Sequence, residues 1–253
     1  NSVDIPIRGV HALLVVDNWE TSINSGNEAV VNILTNQSKQ LEESMRQALL
    51  RCLYDDPTAF DPTNKQLQGL VPAIDNANVY AGLDRSASEF DFFRAHVIED
   101  ATGSAPIELT YDLLSDFWME VTNGGQEAPA DKLIFVGDFK SVNKIRSILH
   151  EKNQITTVSE NEANLGFADF KLFGHRVMAA PKLEAQAKAS GKGILYAVNL
   201  EYFSLYSLAN NDFRTTKFES DQANDLLVKK MFFQGNFVCS KPSANGVIRD
   251  IQR

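Results

Sequence analysis

The chain has 253 residues, of which 43% are hydrophobic and 9% aromatic, enough for one or two packed domains. Its 24 Lys and Arg residues against 33 Asp and Glu residues give a formal net charge of -9, and an acidic surface of this kind repels phosphate backbones and argues against sequence-specific nucleic-acid binding. No apolar run reaches the roughly 20 residues that span a bilayer and no signal-peptide pattern is present, so we expect a soluble intracellular chain without a membrane partner.

Two further features concern chemistry and processing. Cys52 lies in a helix-like segment and Cys239 in a strand-like one, and we expect buried reduced thiols rather than a disulfide. The sequence starts at Asn1 and not at Met, so we expect a processed or partial chain.

Residues 1–20 mix polar alternation with the apolar run Val10–Val16 and are predicted to be extended. A strand of this length without a core of its own must be covered, either by the rest of the chain or by a neighbouring subunit. Trp19 and Glu20, where this arm ends, are candidate contacts with a neighbouring subunit because a Trp that leaves an arm often packs against a partner.

A long helix is predicted from Asn27 to Tyr54, with no Gly or Pro inside it. At about 1.5 Å per residue it would be about 40 Å long and would cross a whole domain. Glu42 and Arg46 lie away from the apolar stripe and are further candidate intersubunit contacts. The stripe consists of Val30, Leu34, Leu41, Met45, Ala48, Leu49 and Cys52.

The remaining elements alternate between helix and strand. Residues 57–90 are interrupted by Pro and Gly, and residues 90–99 fit a strand or a short helix. The predicted helices are 107–121, 141–150 and 200–208. The predicted strands are 131–137, 176–181, 195–199, 213–218 and 228–240. This order predicts an α+β chain in which a compact α/β middle, residues 111–211, is inserted into a discontinuous outer domain.

No stretch carries a strong catalytic or cofactor-binding signature. The Ser190–Gly193 segment lacks the other residues of a phosphate-binding loop and is predicted to be a solvated turn. The backbone amides after Gly137 could bind a phosphate, or Asp138 or Ser141 could cap the following helix. The four histidines are scattered and no Gly-x-Ser-x-Gly motif is present, so we expect no metal, no cofactor and no enzyme active site.

Several segments, taken in order, resemble a known family. An extended arm leads through NWETSINSGNEAVVNIL into the long helix, and GLVPAI and YAGLDRS follow it. Next come KLIFVGDFKSVNKIRSI and, near the end, QGNFVCSKPSANGVI. Over most of its length the chain resembles the major capsid protein of tailed bacteriophages, the Hong Kong 97-type shell protein.

The resemblance implies an architecture and a function. It implies that residues 1–20 are the return arm of an extended loop, 21–110 and 212–253 a peripheral domain with a spine helix, and 111–211 an axial domain. The chain would form hexamers and pentamers of an icosahedral head that encloses double-stranded DNA, with scaffold, portal or decoration proteins as further partners. It would be a structural protein of the virion, assembled in the cytoplasm of the infected bacterium.

Two alternatives and two departures accompany the resemblance. An encapsulin-like nanocompartment would have the same fold, and a small α/β enzyme would bind a phosphate-bearing ligand near Gly137. The family normally has an N-terminal arm and an outgoing loop strand before the point where this sequence starts, which fits proteolytic maturation or a partial chain. No Lys and Asn can be matched to the cross-linking positions of some members, so no cross-link is implied.

Residues 232–248 are predicted to form a closing hairpin along the long helix. Phe233, Phe237 and Cys239 would lie on its buried face, and the Gly235-Asn236 pair would allow a bulge or a close approach of the backbone. Asn245 and Gly246 would form a tight turn with positive φ angles.

Overall fold

In the computed structural model of the chain, residues 5–17, 27–55, 66–76, 79–100, 105–126, 132–151, 170–221 and 226–253 are described. They form two compact units. We name residues 5–70 and 205–237 the long-helix unit, and residues 71–204 and 238–253 the six-stranded unit. Residues 71–110 and 238–253 thus belong to the six-stranded unit.

The described elements follow one another in a mixed order. The helices are α1 (Asn27–Tyr54), α2 (Leu70–Ile74), α3 (Tyr111–Val121), α4 (Phe139–Glu151) and α5 (Pro181–Ser190), with 3₁₀ turns at Ser88–Phe93 and Pro242–Ala244. The first strands are β1 (Arg8–Asp17), β2 (Val79–Tyr80), β3 (Leu83–Asp84), β4 (His96–Ile98), β5 (Leu133–Gly137), β6 (Lys171–Leu172) and β7 (His175–Ala179). The later strands are β8 (Gly193–Asn199), β9 (Phe203–Ser207), β10 (Arg214–Thr215), β11 (Glu219–Asp221), β12 (Leu226–Cys239) and β13 (Gly246–Ile251). The α+β fold class is thus confirmed.

The long-helix unit contains α1, whose predicted limits are confirmed. Leu41, Met45 and Cys52 on its apolar stripe are buried, while Glu42 and Arg46 are exposed. The separation of buried and exposed positions follows from the 3.6-residue period, which places residues three and four apart on one face. The helix therefore packs along one side.

The sheet of this unit is organised around β12. The other four strands all pair with β12, and β1 pairs with it antiparallel from Arg8 opposite Gly235 to Asp17 opposite Leu226. One face of this sheet contacts α1, where Lys229 Nζ donates a hydrogen bond to Ser38 Oγ at 3.1 Å. Residues 8–17 are therefore paired within their own chain, which is the intrachain alternative that the sequence left open.

Residues 200–208 do not form the predicted helix. Phe203–Ser207 is strand β9, paired with β12 about thirty positions further along the chain. A non-local ladder of hydrogen bonds has outweighed a weak local helical period, as is common for segments rich in aromatic residues. Conversely, α5 was not predicted. It begins with Pro181 at its first turn and ends at Gly191, whose φ of 74° is the left-handed conformation of a helix C-terminus.

The six-stranded unit has the strand order β4-β13-β8-β5-β7-β6. Strands β5 and β7 are parallel and are connected through α4, which is the usual crossover for parallel strands. Helices α3 and α4 contribute to one apolar core with the sheet. Its fully buried members include Leu114, Phe117, Phe135, Ile145, Leu172, Leu195, Ala197, Ile248 and Ile251.

The predicted closing hairpin is wrong in its pairing. Strand β12 belongs to the five-stranded sheet and β13 to the six-stranded sheet, where β13 lies between β4 and β8. Phe233, Phe237 and Cys239 are nevertheless buried, as expected for the core side of β12. The segment between the two strands is therefore a connection between sheets.

Asn245 and Gly246 do not form the predicted tight turn. Asn245 is extended, with φ of −130°, and Gly246 is the first residue of β13 without a positive φ. A Cβ atom at position 246 would lie 2.7 Å from Cε2 of Phe117 and 2.8 Å from Cγ2 of Val121. Glycine is required here because α3 packs closely on the strand.

The YAGLDRS segment has a structural explanation. It forms the β2–β3 ribbon, with Ala81 and Gly82 at positive φ in the two-residue turn. The fully buried Arg85 guanidinium donates hydrogen bonds to the carbonyl oxygens of Ala73, at 2.6 Å, and Pro72, at 2.7 Å. Burial lowers the pKa of Arg85, and these carbonyls at the end of α2 partly replace its hydration.

Candidate assembly surfaces

The first turn of α4 is where the sequence left a phosphate site open. The Asp138 carboxylate accepts hydrogen bonds from the backbone amides of Lys140, at 3.2 Å, and Ser141, at 3.3 Å. The amide of Phe139 donates to Oε2 of Glu184 at 3.0 Å. The amides that a phosphate would use are thus bound by two carboxylates of the chain itself, and the helix-capping interpretation is confirmed.

Arg253 completes this buried charged cluster. Its Nη2 donates to Oε1 of Glu184 at 2.8 Å, and its Nε lies 3.5 Å from Oδ2 of Asp138. Burial alone would raise the pKa of Glu184, but the hydrogen bonds from Arg253 and from the Phe139 amide hold that pKa below its ordinary value. The cluster stabilises the ionised carboxylate and joins the last residue of the sequence to α4 and α5.

Metal-ligating side chains and thiols are the other chemically reactive groups of the described residues. No group of three or more His, Cys, Asp or Glu side chains within those ranges is arranged to hold a metal ion. Cys52 and Cys239 are buried free thiols, as predicted. Burial raises the pKa of both thiols, that of Cys239 to about 12, so neither is a reactive thiolate at neutral pH. Within the same ranges, no helix has the length and apolarity to cross a membrane.

The candidate contact residues fall in two places. Trp19 and Glu20 lie outside the described residues. Glu42 and Arg46 are exposed on α1, where Arg46 Nη1 is 3.9 Å from a carboxylate oxygen of Glu43. An ion pair this exposed contributes little to stability and does not hold Arg46 in place. The exposed side chains of Glu42 and Arg46 are therefore accessible to a neighbouring molecule.

A second surface, which the sequence analysis did not identify, is the face of the five-stranded sheet opposite α1. We name it the outer sheet face. Leu13 and Val15 of β1 are 55% and 45% exposed there. The register places Val15 beside Val228, and Phe232 lies on the same face, opposite His11. These side chains form an apolar band that also contains Lys230, opposite Leu13. Exposed apolar surface of this kind marks an interaction surface.

Further apolar side chains of the long-helix unit are exposed. Leu205, Tyr206, Leu208 and Phe213, on β9 and the segment after it, are each more than two-fifths exposed. Tyr206 is 64% exposed although its strand is hydrogen-bonded to β12. Aromatic and aliphatic side chains in such positions are typical anchors of protein interfaces.

No protein-family model matches this sequence, and a search among curated proteins gives no match. Solved structures do match. The cyanophage A-1(L) capsid asymmetric unit is 17% identical, with 97% of this chain and 77% of that chain covered and a TM-score of 0.70. The SrpI encapsulin of Synechococcus elongatus PCC 7942 is 11% identical, with 97% and 74% covered and a TM-score of 0.61. The capsid of an empty GTA particle is 12% identical, with 98% and 74% covered and a TM-score of 0.59.

These matches extend over nearly the whole chain, so they define its fold. The fold is that of viral and encapsulin shell subunits. It is the Hong Kong 97-type capsid fold, which the order of the sequence segments had implied.

Proposed function

We propose that the chain is a structural major capsid protein that assembles into hexamers and pentamers of an icosahedral phage head. The observation that carries this proposal is the likeness to the cyanophage A-1(L) capsid asymmetric unit over 97% of the chain. The exposed apolar band on the outer sheet face supports it, because such a band is costly for an isolated subunit and useful in an assembly.

Further parts of the proposal follow from this role. The head encloses double-stranded DNA without sequence-specific binding, which agrees with a net charge of -9. Scaffold, portal or decoration proteins are further partners, and assembly takes place in the cytoplasm of the infected bacterium. The protein is not an enzyme. Residues 1–20 act as the return arm of an extended loop, 21–110 and 212–253 as the peripheral domain, and 111–211 as the axial domain.

An encapsulin-like nanocompartment is the second candidate. The likeness to the SrpI encapsulin favours it, with a TM-score of 0.61 over 97% of the chain. The two functions differ in cargo and not in fold. Particles from the natural source should therefore be treated with nuclease, opened and examined for nucleic acid and protein. Double-stranded DNA inside supports the phage head, and a co-purified enzyme supports the nanocompartment.

The outer sheet face gives a direct test of assembly. The double variant Leu13→Lys/Val15→Lys should fold, because both side chains are exposed. It should form fewer particles in negative-stain images, because it places two further charges in the apolar band. The matched control Ala185→Lys/Ala189→Lys adds the same charge at exposed positions of α5 and should assemble like the parent. Equal particle yields from the two variants would exclude the outer sheet face as an assembly surface.

A further inference from the structure

The six-stranded unit has an uneven distribution of charge along the chain. In its described part between 79 and 126, the charged side chains are all Asp or Glu except Arg85 and Arg94. Arg85 is fully buried, and Arg94 forms an ion pair with Asp91 at 2.9 Å. In the described part between 132 and 192 basic residues outnumber acidic ones, and the acidic residues are Asp138, Glu151 and Glu184. Asp138 and Glu184 are buried and paired with Arg253. One unit thus presents an acidic region and a basic region.

The acidic region includes the exposed side of α3. Leu114, Phe117 and Val121 of this helix are buried in the core. Asp112 and Asp116, one helical turn apart, are exposed on the other side. Met119, 46% exposed, adds apolar surface to that side. We name Asp112, Asp116 and Met119 the α3 face.

The basic region has a matching face on α4. Lys140 and Lys144, also one turn apart, are exposed and line a groove of about 520 Å³. The same groove is also lined by Glu108, Leu109, Asn143, Ser147, Gln252 and Arg253. We name Lys140, Asn143, Lys144 and Ser147 the α4 face. In the parts of the chain that the structure describes, none of Asp112, Asp116, Lys140 or Lys144 has an ion-pair partner.

We propose that the α3 face of one copy of this chain docks on the α4 face of the next copy. Two carboxylates about 6 Å apart along one helix match two ammonium groups with the same separation along the other, since four residues of helix rise about 6 Å. A ring of identical subunits needs two different complementary surfaces on each copy, and these two faces provide them. The inference rests on the proposed function, because it assigns a contact within the hexamers and pentamers.

Charge reversal tests the contact. Lys140→Glu/Lys144→Glu makes both faces acidic, and Asp112→Lys/Asp116→Lys makes both faces basic. Each double variant should keep the circular-dichroism spectrum of the parent, because all four side chains are exposed. The thermal midpoint should shift by only a few degrees, since Asp112 and Lys140 lie in first helical turns, where a charge changes stability by about 1 kcal/mol or less. Each should reduce the yield of closed particles at least about tenfold, since like charges in a contact oppose association. The quadruple variant restores complementarity and should recover closed particles.

A mixture of the two double variants makes a sharper prediction. In a 1:1 mixture each contact between unlike variants is complementary, so the two variants can alternate around an even-numbered ring. Hexamers should form, but a pentamer cannot alternate, and the mixture should give open sheets or tubes instead of closed shells. The proposal would be overturned by a mixture that closes into shells as well as the parent does. It would also be overturned by a quadruple variant that folds but forms no particles.

Two comparisons separate this inference from its alternatives. Lys171→Glu/Lys182→Glu makes the same change in net charge as Lys140→Glu/Lys144→Glu, elsewhere in the six-stranded unit, and should assemble like the parent. An equal loss of particles from this control would show an effect of net charge alone and would overturn the contact. Sedimentation of the two double variants, alone and mixed, at low and high salt measures their association even without shells. Association of the mixture only, weakened by salt, supports the contact even if the proposed function fails. Its absence, with normal parental shells, refutes the contact while the function stands.

Discussion

The side chain of Asn245 is buried and joins segments that are far apart in sequence. Its Oδ1 accepts a hydrogen bond from the backbone amide of Asn199 at 2.7 Å, and its Nδ2 donates to the carbonyl oxygen of Lys241 at 2.9 Å. The same Nδ2 lies 3.3 Å from Sγ of Cys239. Asn245 thus holds the connection between β12 and β13 against the end of β8.

We predict that Asn245→Ala lowers the free energy of unfolding by about 1–3 kcal/mol for each buried group left without its partner. Urea unfolding measures this change. Asn211→Ala is the control, because its side chain bonds to Gln234 at an exposed site, and it should change the free energy by less than about 0.5 kcal/mol. Equal midpoints for the two variants would contradict the role of Asn245.

Glu184 predicts a dependence of stability on pH. Its pKa is lower in the folded chain than in the unfolded chain, so its ionised form contributes stability above the unfolded pKa, about 4.3. That contribution is lost as the pH falls through the folded pKa. Glu184→Gln should therefore be less stable than the parent at pH 7, and the difference should shrink as the pH falls below about 4. Thermal midpoints of both proteins between pH 7 and pH 3 measure this, and a difference that stays constant across the range would contradict it.

At the scale of elements, α1 provides two adjacent positions with opposite environments. Met45 is 1% exposed, whereas Arg46, the next residue, is exposed. We predict that Met45→Asp gives insoluble or unassembled protein, because an unpaired buried carboxylate costs several kcal/mol. Arg46→Asp introduces the same side chain and should leave the subunit folded. Soluble yield and circular dichroism distinguish the two, and normal particles from Met45→Asp would show that the stripe is not buried.

The accuracy of the sequence-based elements follows the range of the interactions that form them. The limits of α1 were predicted because a helix is closed by hydrogen bonds between near neighbours, and its apolar period is visible within the segment. The partners of β12 and β13 were not, because strand pairing depends on residues far away in the sequence. Residues 203–207 were misassigned for the same reason.

The outer sheet face was missed although a signal was present. Residues 12–16 are apolar without interruption, and such a run hides the alternation that normally marks one buried face. A strand that is apolar on both faces is expected to be covered on both. Leu14 and Val16 are covered within the chain, while Leu13 and Val15 are left exposed. The apolar run therefore indicated a covering for each face of β1, whereas the sequence analysis predicted a covering only for residues 1–20 as a whole.

For the whole molecule, the α+β class and the Hong Kong 97-type fold were predicted from the order of segments, at identities of 17% or less to the three solved structures described above. The candidate contact residues on α1 were placed on the surface correctly, but exposure alone does not show contact. Fold also does not determine cargo, since phage capsids and an encapsulin share it. Cargo has to be determined from purified particles.

The central position of β12 has a consequence for synthesis of the chain. Every other strand of the five-stranded sheet pairs with β12, and β13 separates β4 from β8 in the other sheet. These two strands are the last ones in the sequence, so a ribosome releases them after all their partners. A chain whose translation stops before β12 can complete neither sheet. A chain that terminates before β12 is therefore expected to stay incompletely folded and to be degraded by proteases.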